Sequence, residues 1–374
     1  MRVALVHDWL TGMRGGERVL HELAGMFPDA DLHTLVFVPG STSERIESLA
    51  IEASVLSRLP GAARHYRKLL PLLPLAIEAK RLSDYDLVLS TSHAVAKGVR
   101  VAPGTPHLSY CFTPMRYVWD QADVYLGRGL KRALAAPLVA YLRAFDLRTS
   151  RPDRVTRFTA CSQNVANRIR RIYDREAEVV YPPVAVDRFR PNGKEPENFF
   201  LVVGGFVAYK REDVAVEAFR ELGTGYRLVV AGDGPARRRL EARAPANVEF
   251  VGRVDDAELA DLYASCRALL FPGDEDFGMI PVEVQAAGRP VIAFGRGGAL
   301  ETVLGVVEGR TVAESTGLWF EPQTPAAAAN AVREFERVER AFDPATLRAH
   351  AMRFAPQCFR EGIDREIAAT LHRS

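Results

Sequence analysis

Two glutamates, Glu275 and Glu283, flank a glycine-bearing loop in the segment FPGDEDFGMIPVEVQAAGRPVIAFG. The apolar run 268–271 predicts a buried strand, and Pro281 suits the first turn of a following helix that should end at Gly288. In that first turn, where we expect Glu283, a carboxylate is close to free backbone donors and can accept hydrogen bonds from vicinal hydroxyls, such as those of a ribose. Glu275 can then face a sugar ring. The segment therefore predicts a nucleotide-sugar site, although its acidic residues could also simply favour the start of a helix.

A second group of residues suits an anion and lies upstream, in the segment FFLVVGGFVAYKREDVAVEAF. Its pattern predicts a strand from Phe199 to Val203, a glycine turn, a basic pair and an amphipathic helix. Lys210 and Arg211 would therefore lie beside a helix N-terminus, where positive charge and free N–H groups can hold a diphosphate. The pair could merely flank a helix, but its order and its distance from the two glutamates favour the diphosphate.

Glycines also follow the first predicted strand, which begins almost at the first residue. Gly12, Gly15 and Gly16 precede an amphipathic helix, and small residues at such a turn let the backbone approach a ligand. Many α/β proteins use such glycines only to make the turn. The spacing is not the GxGxxG of dinucleotide binders, which lowers the expectation of an NAD or FAD enzyme.

A histidine follows another predicted strand, in the segment DYDLVLSTSHAVAKGV. We expect a strand from Asp86 to Leu89, then a turn rich in serine and threonine, and His93 at the beginning of a short helix. A lone histidine is more often a structural hydrogen-bonding residue than a catalyst. The carboxyl end of a strand, however, points into the crevice where open α/β sheets bind ligands, so His93 is a candidate site residue.

The paired-glutamate segment resembles the motif of retaining glycosyltransferases of family four, enzymes with the two-domain GT-B fold. The resemblance implies that Glu275 lies by the transferred sugar and that Glu283 holds the ribose of the nucleotide. It continues through GRGGALETV, which would form another glycine loop before a helix. The backbone residues implied to contact the donor in these two loops are Phe277, Gly278, Met279, Ile280 and Gly298.

The resemblance extends to the amino-terminal half of the chain. It implies that the turn with Gly15 and Gly16 faces the diphosphate and the acceptor. It also implies that His93 contacts the donor sugar and steadies its electron-poor ring, instead of acting as a general base. The segment YCFTPMRYVWD resembles a further family signature, in which Arg116 and Trp119 are acceptor-side residues. A buried aromatic belt with a satisfied arginine is the alternative for that segment.

Two positions depart from the family pattern. Phe112 stands where many relatives have histidine, and Gly205 stands where the family normally carries an arginine, five residues before the lysine. One positive charge at ~4 Å from a phosphate contributes roughly 4 kcal/mol at an effective dielectric constant of about 20. The sequence leaves open which residue replaces that charge: Arg211, Arg296 or Arg253.

The implied chemistry requires no metal ion. Paired aspartates would hold a divalent cation on the diphosphate, but the acidic run 274–276 is better explained as the entry to the glutamate loop. We expect Lys210, a neighbouring arginine and helix N-termini to neutralise the leaving group. Retention would normally call for a carboxylate nucleophile, and none is clearly placed. The resemblance favours a front-face substitution in which the departing phosphate oxygen receives the acceptor's proton, with Glu275 and His93 as catalytic residues.

Among the family, the chain is most similar to bacterial polysaccharide mannosyltransferases. This implies GDP-mannose as the donor and a lipid-linked or growing glycan as the acceptor. A UDP-sugar-dependent transferase, a GT-B sugar-nucleotide epimerase and a non-catalytic nucleotide-sugar-binding subunit are the alternatives. The presence of all four residues Lys210, Glu275, Glu283 and His93 argues against the last of these.

Length and patterning predict a two-domain α/β protein. The chain has 374 residues, 48% of them hydrophobic and 26% charged, which is ordinary globular usage for more than one core. Strands alternate with helices, so we expect a GT-B fold with two Rossmann-like, doubly wound parallel-sheet domains facing across a cleft. The expected parts are an acceptor-side domain (1–181), a linker (182–198), a nucleotide-sugar domain (199–352) and a terminal helix returning to the first domain (353–374). Asp255 and Glu258 predict a capping box at one helix start.

The remaining features bear on metals, membranes and nucleic acids. The four cysteines include no CxxC pair, so we expect buried reduced thiols and no zinc site. The sequence predicts neither a signal peptide nor a spanning segment, and hence a cytoplasmic protein. Two basic, apolar segments, 58–82 and the one starting at Gly127, could rest on an anionic membrane or could simply cover a sheet. A net charge of only +2 gives no support to nucleic-acid binding.

Overall fold

The computed structural model describes residues 1–120 and 130–372. It divides into two compact units, the first formed by Met1–Pro183 together with the chain from Pro356 onward, and the second by Val184–Ala355. Each unit is an α/β structure built on a parallel sheet. The predicted fold class of two Rossmann-like parallel-sheet domains is therefore confirmed.

The first unit contains a seven-stranded parallel sheet with the strand order β3-β2-β1-β5-β7-β8-β9, and a separate parallel pair of β4 and β6. Strands β1, β5 and β7 are buried along their whole length, because helices and loops cover both faces of the sheet. The strands are β1 (Val3–His7), β2 (Asp31–Thr34), β3 (Ala50–Ala53), β4 (Arg81–Leu82), β5 (Leu87–Ser92), β6 (Arg100–Val101), β7 (His107–Cys111), β8 (Arg157–Ala160) and β9 (Ala177–Val179).

The helices of the first unit cover this sheet with their apolar sides. The amphipathic helix Gly15–Met26, for example, buries Val19, Leu20 and Leu23 against the core. The helices are α1 (Gly15–Met26), α2 (Glu44–Glu47), α3 (Ala62–His65), α4 (Leu73–Ala79), α5 (Leu130–Arg148) and α6 (Gln163–Tyr173), with 3-10 turns at Val55–Arg58, Tyr66–Leu69 and Ala96–Gly98.

The second unit contains a six-stranded parallel sheet with the order β12-β11-β10-β13-β14-β15. Its strands are β10 (Phe200–Gly204), β11 (Leu228–Gly232), β12 (Val248–Gly252), β13 (Leu269–Phe271), β14 (Val291–Phe294) and β15 (Gly317–Phe320). Its helices are α7 (Glu212–Leu222), α8 (Arg237–Glu241), α9 (Asp256–Ser265), α10 (Met279–Ala286), α11 (Ala299–Thr302), α12 (Pro325–Val338) and α13 (Pro344–Met352), with 3-10 turns at Val186–Arg188, Ala208–Lys210 and Glu339–Ala341. The predicted capping box is present at the start of α9, where Asp255 and Glu258 exchange side-chain and backbone hydrogen bonds.

The last helix, α14 (Pro356–Leu371), belongs to the first unit. Glu366 on this helix accepts a hydrogen bond from Arg157 at 2.6 Å, and Arg360 donates to Glu22 of α1 at 2.7 Å. Tyr110 of β7 packs edge-on against Phe359, with ring centroids 5.7 Å apart. These contacts hold the helix against the sheet and α1.

Two expectations about these elements were wrong. Strand β5 continues through Ser92, so the serines and threonine before His93 lie in the strand and not in a turn. Their hydroxyls are satisfied there, since Ser90 bonds to His107 at 2.8 Å and Thr91 to His7 at 2.7 Å. All four cysteines are free, but Cys358 is exposed and only the other three are buried.

Helix length and composition bear on the expectation that the sequence has no membrane-spanning segment. Within the ranges 1–120 and 130–372, no helix is both long enough and apolar enough to span a bilayer. The expected basic segment from Gly127 lies outside the described residues up to residue 129.

Candidate functional site

Lys210 and Glu275 form an ion pair in the second unit, with Lys210 Nζ 3.0 Å from Glu275 Oε1. Lys210 closes the short 3-10 turn after β10, and Glu275 lies on the loop after β13. These strands are parallel neighbours, so their carboxyl ends meet at one edge of the sheet, the edge where open α/β sheets bind ligands. The two residues that the sequence predicted to act on the leaving group and on the sugar are thus in contact.

Electrostatics keep the lysine of this pair charged. Burial disfavours the ammonium form, but Glu275, together with Tyr209 and Glu212, outweighs burial and raises the pKa of Lys210 above its ordinary value. Only 18% of the Lys210 side chain and 19% of the Glu275 side chain are exposed. A phosphate arriving here would therefore meet a cation that is already largely removed from water, where its attraction is stronger than at an open surface.

Glu283 is buried on helix α10 and is held by a tyrosine. Its Oε2 accepts a hydrogen bond from the Tyr263 hydroxyl at 2.9 Å, and only 3% of the residue is exposed. The expectation that it lies in the first helical turn was wrong, because the helix begins at Met279 and Glu283 is its fifth residue. The earlier start is possible because Gly278 takes a left-handed conformation, with φ of 92°, just before the helix.

The loop between Glu275 and this helix is anchored by an aromatic contact. The Phe277 side chain is buried and packs edge-on against Phe354, with ring centroids 5.5 Å apart. Met279 and Ile280 then open α10, whose first-turn N–H groups have no acceptor within the helix. The predicted donor-binding backbone of Gly278, Met279 and Ile280 is thus the start of a helix, a position that favours anions.

Gly298 supports the glutamate loop from the neighbouring strand end. Its N–H donates to the Glu275 carbonyl at 2.8 Å, so this amide is already used within the protein. A Cβ at Gly298 would overlap the backbone of Phe277, and one at Gly297 would overlap the Glu275 carbonyl. The structure therefore gives Gly298, predicted to contact the donor, a role in holding the loop that carries Glu275.

Each arginine considered as a substitute for the missing one has an acidic partner. Arg211, at the start of α7, donates to Asp213 at 2.9 Å and to Gln323 at 3.1 Å. Arg296 donates to Glu321 at 3.0 Å, and Arg253 lies 3.5 Å from Asp233. At Gly205 itself, a Cβ would meet no atom of the described residues within 4 Å. The structure thus leaves open space at the position where the family resemblance implied an arginine.

Sequence reasoning missed Glu212, the first residue of α7. It is 4% exposed, and its Oε1 accepts the Phe206 N–H at 3.1 Å. Burial, opposed by its backbone hydrogen bonds and by Lys210, raises the pKa of Glu212 to about 7. Gly204 makes room for this carboxyl group, since a Cβ there would lie 2.6 Å from it. An acidic residue at a helix start carried no signal that it would be buried.

Asp8 was also missed, and it organises the site of the first unit. It follows β1, is fully buried, and accepts four backbone hydrogen bonds of 2.7–3.0 Å from the consecutive residues 93–96. The sequence signal was weak: a single acidic residue directly after an apolar strand. The carboxylate fixes the chain where β5 ends and thereby the position of His93.

The His93 ring is held on two sides. Its Nδ1 lies 3.2 Å from Asp8 Oδ2, and the Trp9 ring packs edge-on against it with centroids 4.5 Å apart. Burial lowers the pKa of His93, although Asp8 acts in the opposite direction. The ring is therefore neutral near pH 7, and the carboxylate favours a proton on Nδ1. The side chain remains 26% exposed, which leaves part of the ring accessible to a ligand.

Gly15 and Gly16 are the first two residues of α1. The Arg14 N–H before them donates to Glu17 Oε2 at 3.0 Å, which caps the helix start. A Cβ at Gly16 would lie 3.4 Å from the Phe112 ring, an ordinary van der Waals contact. Gly16 and Phe112 thus lie side by side, and the Phe112 ring centroid is 6.2 Å from that of His93.

The two predicted acceptor-side residues differ in their surroundings. Trp119 Nε1 donates to Asp146 at 2.8 Å, and Asp146 is fully buried with Lys97 and Tyr173 as further partners. This ties the indole into a buried polar network, as the structural alternative for this segment expects. Arg116 is half-buried, and its charge contributes to lowering the pKa of His93, which places it near that ring.

In the described parts of the chain, no group of three or more histidine, cysteine, aspartate or glutamate residues is arranged to hold a metal ion.

Two parallel α/β units with polar residues gathered at the carboxyl ends of their strands are features of the GT-B class. Solved structures share this fold, among them WaaG, a glycosyltransferase involved in lipopolysaccharide biosynthesis, with a TM-score of 0.64 and 18% sequence identity, covering 93% of this chain and 95% of that chain. The Anabaena protein HepE in complex with UDP-glucose matches with a TM-score of 0.69 and 15% sequence identity, covering 99% of this chain and 100% of that chain. This similarity establishes the fold.

Family profiles cover both units. Residues 13–188 match Glycosyltransferase Family 4, and residues 185–349 match Glycosyl transferases group 1. The chain therefore matches a glycosyltransferase family 4 profile followed by a glycosyl transferases group 1 profile, each over a little less than half of its length. The resemblance drawn from the paired-glutamate segment is confirmed at this level.

Two curated relatives align with parts of the chain. The D-rhamnosyltransferase WbpZ of Pseudomonas aeruginosa is 34% identical over 163 residues, which is 41% of this chain and 40% of WbpZ. The alpha-1,3/1,6-mannosyltransferase ALG2 of Saccharomyces cerevisiae is 24% identical over 289 residues, which is 61% of this chain and 54% of ALG2. The chain thus spans about half of the length of these relatives.

Proposed function

We propose that this chain is a retaining glycosyltransferase that moves mannose from GDP-mannose to a lipid-linked or growing glycan in cell-surface polysaccharide synthesis. The observation that carries the proposal is the half-buried Lys210–Glu275 pair at the carboxyl ends of β10 and β13, with Glu283 on the helix that follows the Glu275 loop. A cation for phosphate, a carboxylate for a sugar and a second carboxylate for ribose hydroxyls are the groups a nucleotide sugar requires. We place the reaction in the cytoplasm, at the inner face of a membrane.

Each residue has a proposed task in donor binding. Lys210 and the start of α10 neutralise the diphosphate, and these positive groups take the place of a metal ion. Glu283 accepts hydrogen bonds from the ribose, and Tyr263 fixes the orientation of its carboxylate. His93, held by Asp8 and Trp9, contacts the sugar as a neutral ring.

The proposed chemistry is a front-face substitution at the anomeric carbon. The bond from this carbon to the phosphate oxygen breaks, and the acceptor oxygen bonds to the carbon on the same face. The departing phosphate oxygen takes the acceptor's proton, which balances the charges without a protein base. Glu275 supports the positive charge that develops on the sugar, while Lys210 supports the negative charge on the phosphate.

The named relatives bear on the sugar. One is named for D-rhamnosyl transfer and another for mannosyl transfer, which supports a mannose donor. A UDP-sugar is the second candidate, because HepE, which shares the fold, was solved with UDP-glucose. A sugar-nucleotide epimerase and a non-catalytic binding subunit remain alternatives for the experiment to separate.

The test is a donor-turnover assay in EDTA, with GDP-mannose or UDP-glucose and a lipid extract as acceptor. We expect GDP release from GDP-mannose, an α-linked product, and a loss of about a hundredfold or more in turnover for Glu275→Gln with donor binding retained. The exposed variant Glu334→Gln on α12 is the control. Release of UDP alone would replace the donor assignment, inversion at the second sugar carbon without nucleotide release would identify an epimerase, and binding without turnover would identify a binding subunit.

A further inference from the structure

The first unit presents a surface of mixed basic and apolar side chains that the site does not use. We call it the basic–apolar face and define it as the exposed residues between Val55 and Leu75. Its large apolar members are 43–73% exposed, an unusual concentration in so short a stretch: Val55, Leu59, Leu72 and Leu75. Its exposed cations are Arg58, Arg64, Arg67 and Lys68.

The local fold explains why these side chains face outward. The stretch consists of two 3-10 turns and the short helices α3 and α4, and five residues anchor it in the core below: Leu56, Ala62, Tyr66, Leu73 and Ile77. These five side chains already bury the inner apolar side of the stretch against the core. The exposed leucines and the valine are additional apolar surface that the described residues of the unit do not cover.

The charge of this stretch is one-sided. No aspartate or glutamate occurs between Glu52 and Glu78, whereas four lysines and arginines do. The stretch therefore carries more positive charge than the whole chain, whose net charge is +2, so the rest of the molecule is net negative. The solvated helix face of a near-neutral protein usually carries both positive and negative side chains, whereas this stretch carries only positive ones.

The basic–apolar face is connected to the candidate site within the same unit. The Tyr66 hydroxyl accepts a hydrogen bond from Arg14 at 3.0 Å, directly before the turn with Gly15 and Gly16. The Tyr66 ring also packs against Trp9, with centroids 4.9 Å apart, and Trp9 packs against His93 at 4.5 Å. One residue of this stretch therefore touches the elements that hold His93.

We propose that the basic–apolar face docks the protein on an anionic lipid bilayer. Cations attract the headgroups, and apolar side chains between them enter the interface, a combination that matches a bilayer surface. An acidic protein would use the cations but would not need four protruding apolar side chains. Docking on a bilayer does not itself require the proposed function. Only the purpose of the docking rests on it, because docking here would bring a lipid-linked acceptor close to His93.

The test is binding of the full chain to vesicles, measured by co-sedimentation without donor or acceptor. The vesicles are phosphatidylcholine alone or phosphatidylcholine with phosphatidylglycerol. We expect binding only to the anionic vesicles, weakened by salt. Replacing Arg64→Gln and Lys68→Gln together should lower the affinity about twenty-fivefold, at about fivefold for each cation. Replacing Val55→Ser and Leu75→Ser together should lower it about tenfold or more.

Matched controls keep the test specific. The double variant Arg151→Gln and Arg365→Gln removes the same charge from exposed positions of the same unit but outside the face, and should bind as the parent does. Three results would each overturn the proposal. They are no binding to anionic vesicles, an equal loss of affinity in the control variant, and no effect of replacing the apolar pair. The last two results would indicate general electrostatic attraction or an acidic partner instead of a bilayer. Thermal unfolding shows that the variants fold. Donor titration of the same samples reports on the proposed function separately, because it requires no membrane.

Discussion

At the residue scale, the site depends on carboxylates whose surroundings give them different tasks. Glu275 faces a lysine, Glu283 faces a tyrosine hydroxyl, and Asp8 faces four backbone N–H groups. Glu212 lies buried and within the electrostatic reach of Lys210 and Glu275. Identical chemical groups therefore serve as charge partner, hydroxyl acceptor, backbone clamp and acid of raised pKa, according to what surrounds each one.

Replacing Asp8→Asn should destabilise the first unit and disorder His93. An amide has one accepting oxygen, and its NH2 group would face N–H donors where the carboxylate now accepts from residues 93–96. We expect a loss of roughly 2–4 kcal/mol in the free energy of unfolding, measured by denaturant titration, and a change in the His93 ring nitrogen shifts in NMR spectra. Asp84→Asn, at an exposed position, is the control. An unchanged stability and unchanged His93 signals would contradict the clamp.

Replacing Glu212→Gln should stabilise the protein at high pH but not at low pH. The folded-state pKa of about 7 lies above the ordinary value of 4.5, so folding disfavours the ionised form. The contribution of this carboxyl group to stability is fully present below pH 4.5 and is lost as pH rises to about 7. The amide cannot ionise and can still accept the Phe206 N–H. We expect the variant to gain about 3 kcal/mol relative to the parent between pH 4 and pH 8.

Unfolding by urea at several pH values measures this difference. Glu334→Gln, on the exposed side of α12, controls for loss of a surface charge. A difference between variant and parent that stays constant with pH would show that Glu212 is ionised in the folded protein.

At the element scale, loops after parallel strands bring the site residues together, and glycines set how closely those loops pack. Gly278 turns the chain into α10, and Gly298 lets the loop before α11 press against the loop that carries Glu275. The two glycines are needed for different reasons. Gly278 adopts a positive φ, whereas Gly298 has helical dihedral angles and is needed only because a side chain would not fit.

Replacing Gly298→Ala should therefore act through space alone. The backbone angles suit alanine, but its Cβ would overlap the Phe277 backbone, and the loop with Glu275 would have to move. We expect a stability loss of about 1–3 kcal/mol in thermal or urea unfolding, together with weaker donor binding. The control is Gly225→Ala, where φ is negative and the described residues leave 4 Å of open space around the Cβ. Equal behaviour of the two variants would contradict this account of the loop.

Many strand and helix bounds were predictable from the sequence, because apolar runs and turn residues are local signals. Strands β10 and β13 were predicted to within one residue, and the capping box of α9 correctly. The end of β5 was not predicted, because its polar residues are satisfied by partners on neighbouring strands that no local pattern reveals. The position of Glu283 was misplaced because a left-handed glycine allowed α10 to begin two residues before Pro281.

At the scale of the whole molecule, length and the alternation of strands and helices were sufficient to predict two parallel α/β units. Contacts between distant residues were beyond reach. Asp8 meets its donors 85–88 positions along the chain, and Arg211 meets Gln323 across 112 positions. Family resemblance identified the residues that act on a donor, whereas the residues that hold them in place emerged only from the packing.

We propose that the second unit binds a nucleotide sugar through Lys210 and Glu283 without a metal ion. The most direct measurement is calorimetric titration of GDP-mannose into the full chain in EDTA, repeated with Lys210→Ala and Glu283→Ala and with exposed Arg333→Ala as a control. We predict binding by the parent and the control, and a loss of about a hundredfold or more in both site variants. Undiminished binding by either site variant, or no binding of any nucleotide sugar to the folded parent, would contradict it.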